Sequence, residues 1–297
     1  SIGSSRLLNL LKGWKSVHLE AGLRSGSLFE PFPEEISRII SDRFSDILFA
    51  VSELSEKNLR EYKNNKKVIN VGNTIVDSAM ISYEKARKMK FEKPKGEYVL
   101  INIHRHENLN SAERLGKIVS ILKGIKINAV WPIHDNTSYY LDKYGLNGIK
   151  KTPNMEITPL TDYFHFIFLL ANCKYLITDG GSIQEESLIF KKPCIILRKR
   201  TERQEGLLTG INFLTNLNVK KTRDIISEIE HNLHKARKFK NPYGEEGLSR
   251  KIVDILNIWF LIFAHPSPHF LKERTFFCFG VRHQAHAEEA IISDFVS

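Results

Sequence analysis

The sequence predicts an α/β protein of two domains, each built on a parallel sheet covered by helices. Three observations carry this prediction. Short apolar runs alternate with amphipathic stretches along most of the chain, as strand–helix repeats do. The 297 residues are about twice the ~150 typical of one domain. Polar residues capable of chemistry directly follow several of the apolar runs, where open α/β sheets bind their ligands.

Taken in order, residues 16–19, 47–51 and 68–71 read as strands, with helical patterns over 34–43 and 52–62 between them. A charged segment over 88–97, containing Pro94 and Gly96, interrupts this series, and the domain boundary is placed after residue 87. Beyond it, strands over 98–103, 129–133, 155–157, 175–178 and 194–197 alternate with helices over 111–122, 163–171 and 183–189. From residue 258 the pattern fails: Phe260, Phe263, Phe270, Phe276, Phe277 and Phe279 follow no helical period.

Composition narrows the function. With 42% hydrophobic and 26% charged residues the chain is neither disordered nor fibrous. No apolar run approaches the ~20 residues that span a bilayer, and the opening residues lack a secretory pattern. Cys173, Cys194 and Cys278 are far apart, which excludes a close-spaced zinc motif and a disulfide framework and fits a reducing cytoplasm. The net charge of +10 favours anionic ligands or serves solubility alone. The basic residues are scattered and accompany no aromatic stacking module, so no nucleic-acid partner is expected.

The strand ends carry the chemistry. His18 and Glu20 close the first strand, and His104-Arg105, His134, Asp179-Gly180-Gly181-Ser182 and Arg198 follow later ones. In Thr178-Asp-Gly-Gly-Ser-Ile-Gln-Glu-Glu186, Gly180 and Gly181 permit a tight strand-to-helix turn. Ser182 as N-cap and Glu185 three residues on form a capping box, leaving first-turn N–H groups for a phosphate. The spacing matches neither the P-loop nor GxGxxG, so a plain capped turn is the competing reading. Glu186 accepts from ribose hydroxyls or is simply solvated. The loop Leu197-Arg-Lys-Arg-Thr-Glu-Arg203 offers cations to a diphosphate or to water. Glu34 and Glu35 follow Pro33 at a helix start, which suits the helix dipole, and for Glu34 acid–base work is the competing reading. Glu20, Glu34 and His104 are the acid–base candidates around one carbon. The histidines are not spaced as helical metal ligands, so no metal is expected. His265, His269, His283 and His286 near the end carry only a weak metal signal.

Eight segments in order carry a resemblance: His18-Leu-Glu-Ala-Gly-Leu-Arg-Ser25, Pro33-Glu-Glu-Ile-Ser-Arg38, Val71-Gly-Asn-Thr-Ile-Val-Asp77, His104-Arg-His-Glu-Asn108, Trp131-Pro-Ile-His134, the 178–186 turn, Thr201-Glu-Arg-Gln-Glu205 and Asn241-Pro-Tyr-Gly244. Together, over about residues 1–257, the chain resembles the non-hydrolysing UDP-N-acetylglucosamine 2-epimerases. The resemblance implies a GT-B-type pair of Rossmann-like domains, the first incomplete. The domains would be a partial N-terminal one over 1–87, a nucleotide-binding one over 88–243, a helix over 244–257 packing back toward the first, and a divergent tail over 258–297. A UDP-sugar would bind between the two halves.

The implied reaction interconverts UDP-N-acetylglucosamine and UDP-N-acetylmannosamine. The C2 hydrogen is not beside a carbonyl, so the anomeric C–O bond breaks first, UDP leaves with the electron pair, and C2 loses its proton to give a glycal. Re-addition of UDP with protonation on the other face gives the epimer. No redox cofactor or metal takes part. By the same resemblance Glu20 and Glu34 are acid–base carboxylates and His104 assists at the diphosphate or in proton transfer. Arg24 and Arg38 position substrate or carboxylates, His134, Gly180, Gly181, Ser182 and Glu186 hold uridine, ribose and phosphate, and Arg203 supports the diphosphate. The expected partners are the two UDP-sugars and a second copy in a homodimer, with no membrane, in the cytoplasm. Two other functions compete: a non-catalytic UDP-sugar-binding remnant and a GT-B glycosyltransferase. The sequence departs from the family in lacking its opening Gly-Thr-Arg-Pro-Glu loop and the Gly-Asp-Thr turn whose aspartate is catalytic. It therefore reads as N-terminally shortened, with a first sheet that exposes edges and apolar faces.

Overall fold

The computed structural model describes residues 15–27, 33–231 and 239–263. Among these the chain forms two compact units. One comprises residues up to Asp77 together with those from Pro242, and the other is Ser78–Asn241.

In the first unit, strand β1 (Val17–Ala21) leads to helix α1 (Glu34–Phe44), strand β2 (Ile47–Ala50), helix α2 (Glu53–Asn58), a 3₁₀ turn (Arg60–Tyr62) and strand β3 (Lys67–Asn70). The strands form a parallel sheet in the order β1-β2-β3. All four residues of β2 are buried, as the centre of a doubly covered sheet requires. The helix expected over 52–62 is broken at Leu59. That side chain is completely buried against Ala21, Leu48 and Ala50, and the chain tightens into a 3₁₀ turn after it. Helix α3 (Ile75–Lys88) follows, and the division between the units falls inside it, between Asp77 and Ser78, rather than at the charged segment beyond.

The second unit continues with strand β4 (Tyr98–Asn102), helices α4 (His106–Leu109) and α5 (Ala112–Leu122), β5 (Asn128–Ile133), α6 (Asp135–Lys143) and β6 (Met155–Pro159). It ends with α7 (Tyr163–Asn172), β7 (Tyr175–Thr178), α8 (Ile183–Ile189), β8 (Cys194–Ile196), α9 (Gln204–Thr209), β9 (Asn212–Leu214) and α10 (Val219–Glu230). All six strands are parallel, in the order β6-β5-β4-β7-β8-β9. This is a doubly wound sheet whose strand order reverses between β4 and β7. Alternate residues of β4 feed two cores: Val99 and Ile101 pack with Leu115 and Ile118 of α5, while Tyr98 and Leu100 pack with Ile167 and Leu170 of α7. Strand β9 lies outside the sequence expectation, because its three residues open on the polar Asn212.

The chain then returns to the first unit. Asn73 N–H donates to Tyr243 O at 2.9 Å, and helix α11 (Leu248–Phe263) lays Ile252 and Trp259 against Ile47, Phe49 and Val71. Asp77 caps this helix from a distance, accepting from the N–H groups of Gly247, Leu248 and Ser249 at 2.7, 3.3 and 2.6 Å. The first sheet is thus covered by α11 on one face and by Leu59 and Tyr62 on the other. The apolar faces expected to be exposed are packed. The helix expected to stop at residue 257 runs on to Phe263, since Trp259 continues its buried stripe. His265, His269, Cys278, His283 and His286, and with them most of the expected tail, lie outside the described residues.

Candidate functional site

In the first unit the chemistry gathers around β1 and α1. The ladder between β1 and β2 shifts register between His18 and Ala21, and Glu20, inside this bulge, has φ +58°. A residue other than glycine in that region is strained, and bulges of this kind re-aim side chains. Its neighbours His18 and Ala21 are buried, whereas Glu20 itself is exposed.

Helix α1 presents its buried face to this strand, and that face is charged: Glu35, Arg38 and Asp42, spaced i, i+3, i+7. Both Glu35 carboxylate oxygens accept from Ser25 N–H at 3.0 Å, and Arg38 Nη1 lies 3.8 Å from Glu35 Oε2. Asp42 is completely buried; its Oδ1 lies 2.6 Å from His18 Nδ1 and its Oδ2 accepts from Arg24 Nη2 at 2.5 Å. Glu34 is the first helical residue, after Pro33, and is half-buried. Of the residues singled out from the sequence, Glu20 and Arg24 are therefore carried by one buried lattice, together with Glu34 and Arg38 on the helix that anchors it. Asp42 and Glu35 were not foreseen as members. Their signal was present: charges at core spacing on an otherwise ordinary helix.

In the second unit the residues gather at the strand-order reversal. Asp179, completely buried at the end of β7, accepts from the N–H groups of His104 and Arg105 at 3.0 and 3.2 Å and from Asn108 Nδ2 at 2.9 Å. It also lies 3.6 Å from His104 Nδ1. One carboxylate at β7 thus fixes the loop that leaves β4. The rings of His104 and His134 stand 4.9 Å apart. Burial, followed by the neighbouring His104, pushes the His134 imidazole below its ordinary value. Its Nε2 is buried with no hydrogen-bond partner among the described residues.

The glycine turn departs from expectation in one respect. Ser182 is already in helical conformation and its side chain makes no cap hydrogen bond, while Glu185 pairs with Arg203 Nε at 3.3 Å. The capping box is not formed. The N–H groups of Gln184, Glu185 and Glu186 are taken by Gly181 and Ser182 carbonyls, so fewer first-turn donors remain for an anion than a capped start would leave. Space demands a glycine at 180 and leaves ordinary contact distance at 181. A Cβ on Gly180 would come within 3.0–3.3 Å of Ile183, Thr178 and Asn102, and one on Gly181 within 3.4–3.7 Å of Glu202 and Arg203. Gln184 ties this turn to the next loop, donating to Gly180 O at 2.6 Å and accepting from Thr201 Oγ1 at 2.8 Å.

The cationic loop is divided. Lys199 and Arg200 are exposed, whereas Arg198 and Arg203 are buried and both pair with Glu202. Glu186 is neither solvated nor free: it is buried and its Oε1 accepts from Tyr163 OH at 2.8 Å. Burial pushes its carboxyl up to about 7, opposed by Tyr163 and Arg203. Near neutrality such a group can both donate and accept, which suits a pair of vicinal hydroxyls. Among the described residues no three His, Cys, Asp or Glu side chains group to hold a metal ion. No described helix is long and apolar enough to cross a membrane.

Residues 7–257 match the family model described as UDP-N-acetylglucosamine 2-epimerase. The chain belongs to the UDP-N-acetylglucosamine 2-epimerase family. A family member from Methanocaldococcus jannaschii, named UDP-N-acetylglucosamine 2-epimerase, is 36% identical over 253 residues, 81% of this chain and 68% of its own. A crystal structure of the M. jannaschii UDP-GlcNAc 2-epimerase in complex with UDP-GlcNAc and UDP superposes with a TM-score of 0.73 at 33% identity, over 86% of this chain and 73% of that one. A Pseudomonas aeruginosa member, named UDP-2,3-diacetamido-2,3-dideoxy-D-glucuronate 2-epimerase, is 35% identical over 71% of this chain and 58% of its own. The family's solved structures thus share this chain's α/β fold of the GT-B kind.

Proposed function

We propose that this chain interconverts UDP-N-acetylglucosamine and UDP-N-acetylmannosamine by elimination and re-addition of UDP. The observation that carries the reading is the construction of the second unit's site. At a strand-order reversal, where doubly wound sheets bind nucleotides, one buried aspartate orders the His104 loop beside a two-glycine turn and a buried, raised-pKa glutamate. In this reading Gly180, Gly181, Ser182 and His134 hold the nucleotide and Glu186 meets the ribose hydroxyls. His104 assists the departing diphosphate, and Arg203, held by Glu185 and Glu202, supports the loop beside it.

The proton chemistry falls to two carboxylates. Glu20, exposed on its bulge, and Glu34, at the start of α1, exchange the C2 proton on the two faces of the glycal. Arg24 and Arg38 orient substrate and carboxylates. The electron pair of the broken C1–O bond leaves with UDP and returns with it, so the cycle is redox-neutral. The reading includes a cytoplasmic site of action, supported by the free, buried thiols of Cys173 and Cys194, and a homodimer, to be measured by light scattering.

The test is solvent deuterium. Purified chain with UDP-N-acetylglucosamine in D₂O should incorporate deuterium at C2 and accumulate the manno epimer. UDP binding without incorporation would select the non-catalytic alternative, and no UDP binding would reject both. The identity to the P. aeruginosa member favours a second substrate, a 2,3-diacetamido glucuronate linked to UDP, examined in the same assay.

A further inference from the structure

We infer that Asp42 is the positioning residue that holds Glu20 in its strained, outward conformation. The inference rests on the reading of Glu20 as an acid–base group. The two oxygens of this one buried carboxylate grip the chain on both sides of Glu20. Oδ1 takes His18 Nδ1 at 2.6 Å, two residues before it, and Oδ2 takes Gly22 N–H at 3.3 Å, two residues after it. Oδ2 also takes Arg24 Nη2 at 2.5 Å.

The far side of the grip is equally fixed. Gly22 has φ +82°, a Cβ there would fall 2.2 Å from Ser55 O, and its carbonyl accepts from Asn58 Nδ2 at 2.9 Å. A left-handed residue between two such anchors cannot relax into the ladder without breaking one of them. A slip of one residue along a strand reverses which face its side chains meet. Asp42 therefore sets both the bulge and the direction of Glu20, and by the same oxygen it holds Arg24. Asp42 need not touch substrate to do this.

The test compares Asp42→Asn with Asp46→Asn, which removes the carboxylate holding Ser16 N–H at the opposite end of β1. Amide hydrogen exchange is followed over residues 18–25 and over β2, with far-UV circular dichroism as the fold control. In Asp42→Asn, exchange over 20–25 should rise by about tenfold or more while β2 is unchanged, and Asp46→Asn should leave 20–25 at the wild-type rate. In the C2 deuterium assay kcat should fall about 100-fold with KM within about twofold, as for a misplaced group. Unchanged exchange over 20–25 in a folded Asp42→Asn overturns the inference, whatever happens to activity. If that variant does not fold, His18→Leu and His18→Asn decide: the asparagine can still donate to Asp42, so only the leucine should loosen 20–25, and equal behaviour of the two overturns it. Wild-type protein with no C2 exchange defeats the epimerase reading, and the amide comparison still decides the role of Asp42.

Discussion

Glu186 shows how a single residue couples burial to pH. Its folded carboxyl titrates near 7, well above an ordinary carboxylate, chiefly because it is buried. The folded protein keeps a proton that the unfolded chain gives up, so stability falls as pH rises from about 4.5 to 7, by on the order of 3 kcal/mol. Glu186→Gln keeps an acceptor for Tyr163 OH and removes the titration. Its melting temperature relative to wild type should therefore be higher at pH 8 than at pH 5, and an equal difference at the two would remove the burial argument. Glu20 makes the complementary prediction. Glu20→Gln should slow deuterium entry at C2 by at least ~100-fold, the usual range for a lost acid–base group, with UDP affinity by calorimetry unchanged. At this scale the sequence singles out residues but does not show what holds them. Glu20 and Glu186 could be named from motifs, whereas the bulge at Glu20 and the Tyr163 hydroxyl on Glu186 depend on residues 22 and 23 positions away that no local pattern links.

Among elements, the capping of α11 by Asp77 is the most consequential. Three N–H groups at the helix start converge on one carboxylate, combining charge-assisted hydrogen bonds with the helix dipole. Asp77→Ala should cost about 2–3 kcal/mol in urea unfolding and loosen the burial of Trp259, seen as a red-shifted fluorescence component. An unchanged midpoint would mean that water replaces the cap at no cost. Strands were legible from the sequence because parallel, doubly covered strands are apolar throughout: β7 and α8 coincide with expectation at both ends. Helix starts were less legible. Ser182 has the cap residue type, yet the competing attraction of Arg203 for Glu185 and the helical conformation of Ser182 itself displaced the box. The short β9 and the break at Leu59 depend on tertiary burial, which local propensity does not encode.

At the scale of the whole molecule, family membership makes ligand-linked stability a direct measurement. UDP at a hundred times its dissociation constant should raise the unfolding free energy by about 2.7 kcal/mol, giving a rise of several degrees in melting temperature, while N-acetylglucosamine alone should give none. A sugar-only response would overturn the reading that the glycine turn and Glu186 meet the nucleotide. The net charge of +10 adds a salt-dependent attraction for that anion without specifying it. The chain path has a separate effect on synthesis. The first sheet is sealed by Ile252 and Trp259, and its cap at Asp77 waits for partners 170 to 172 residues downstream. A nascent chain leaving the ribosome can complete the six-stranded unit while Ile47, Phe49 and Val71 still lack their cover. During that interval β1–β3 stay uncovered although the six-stranded unit made after them is complete, so among the described strands they have most to gain from a holding chaperone.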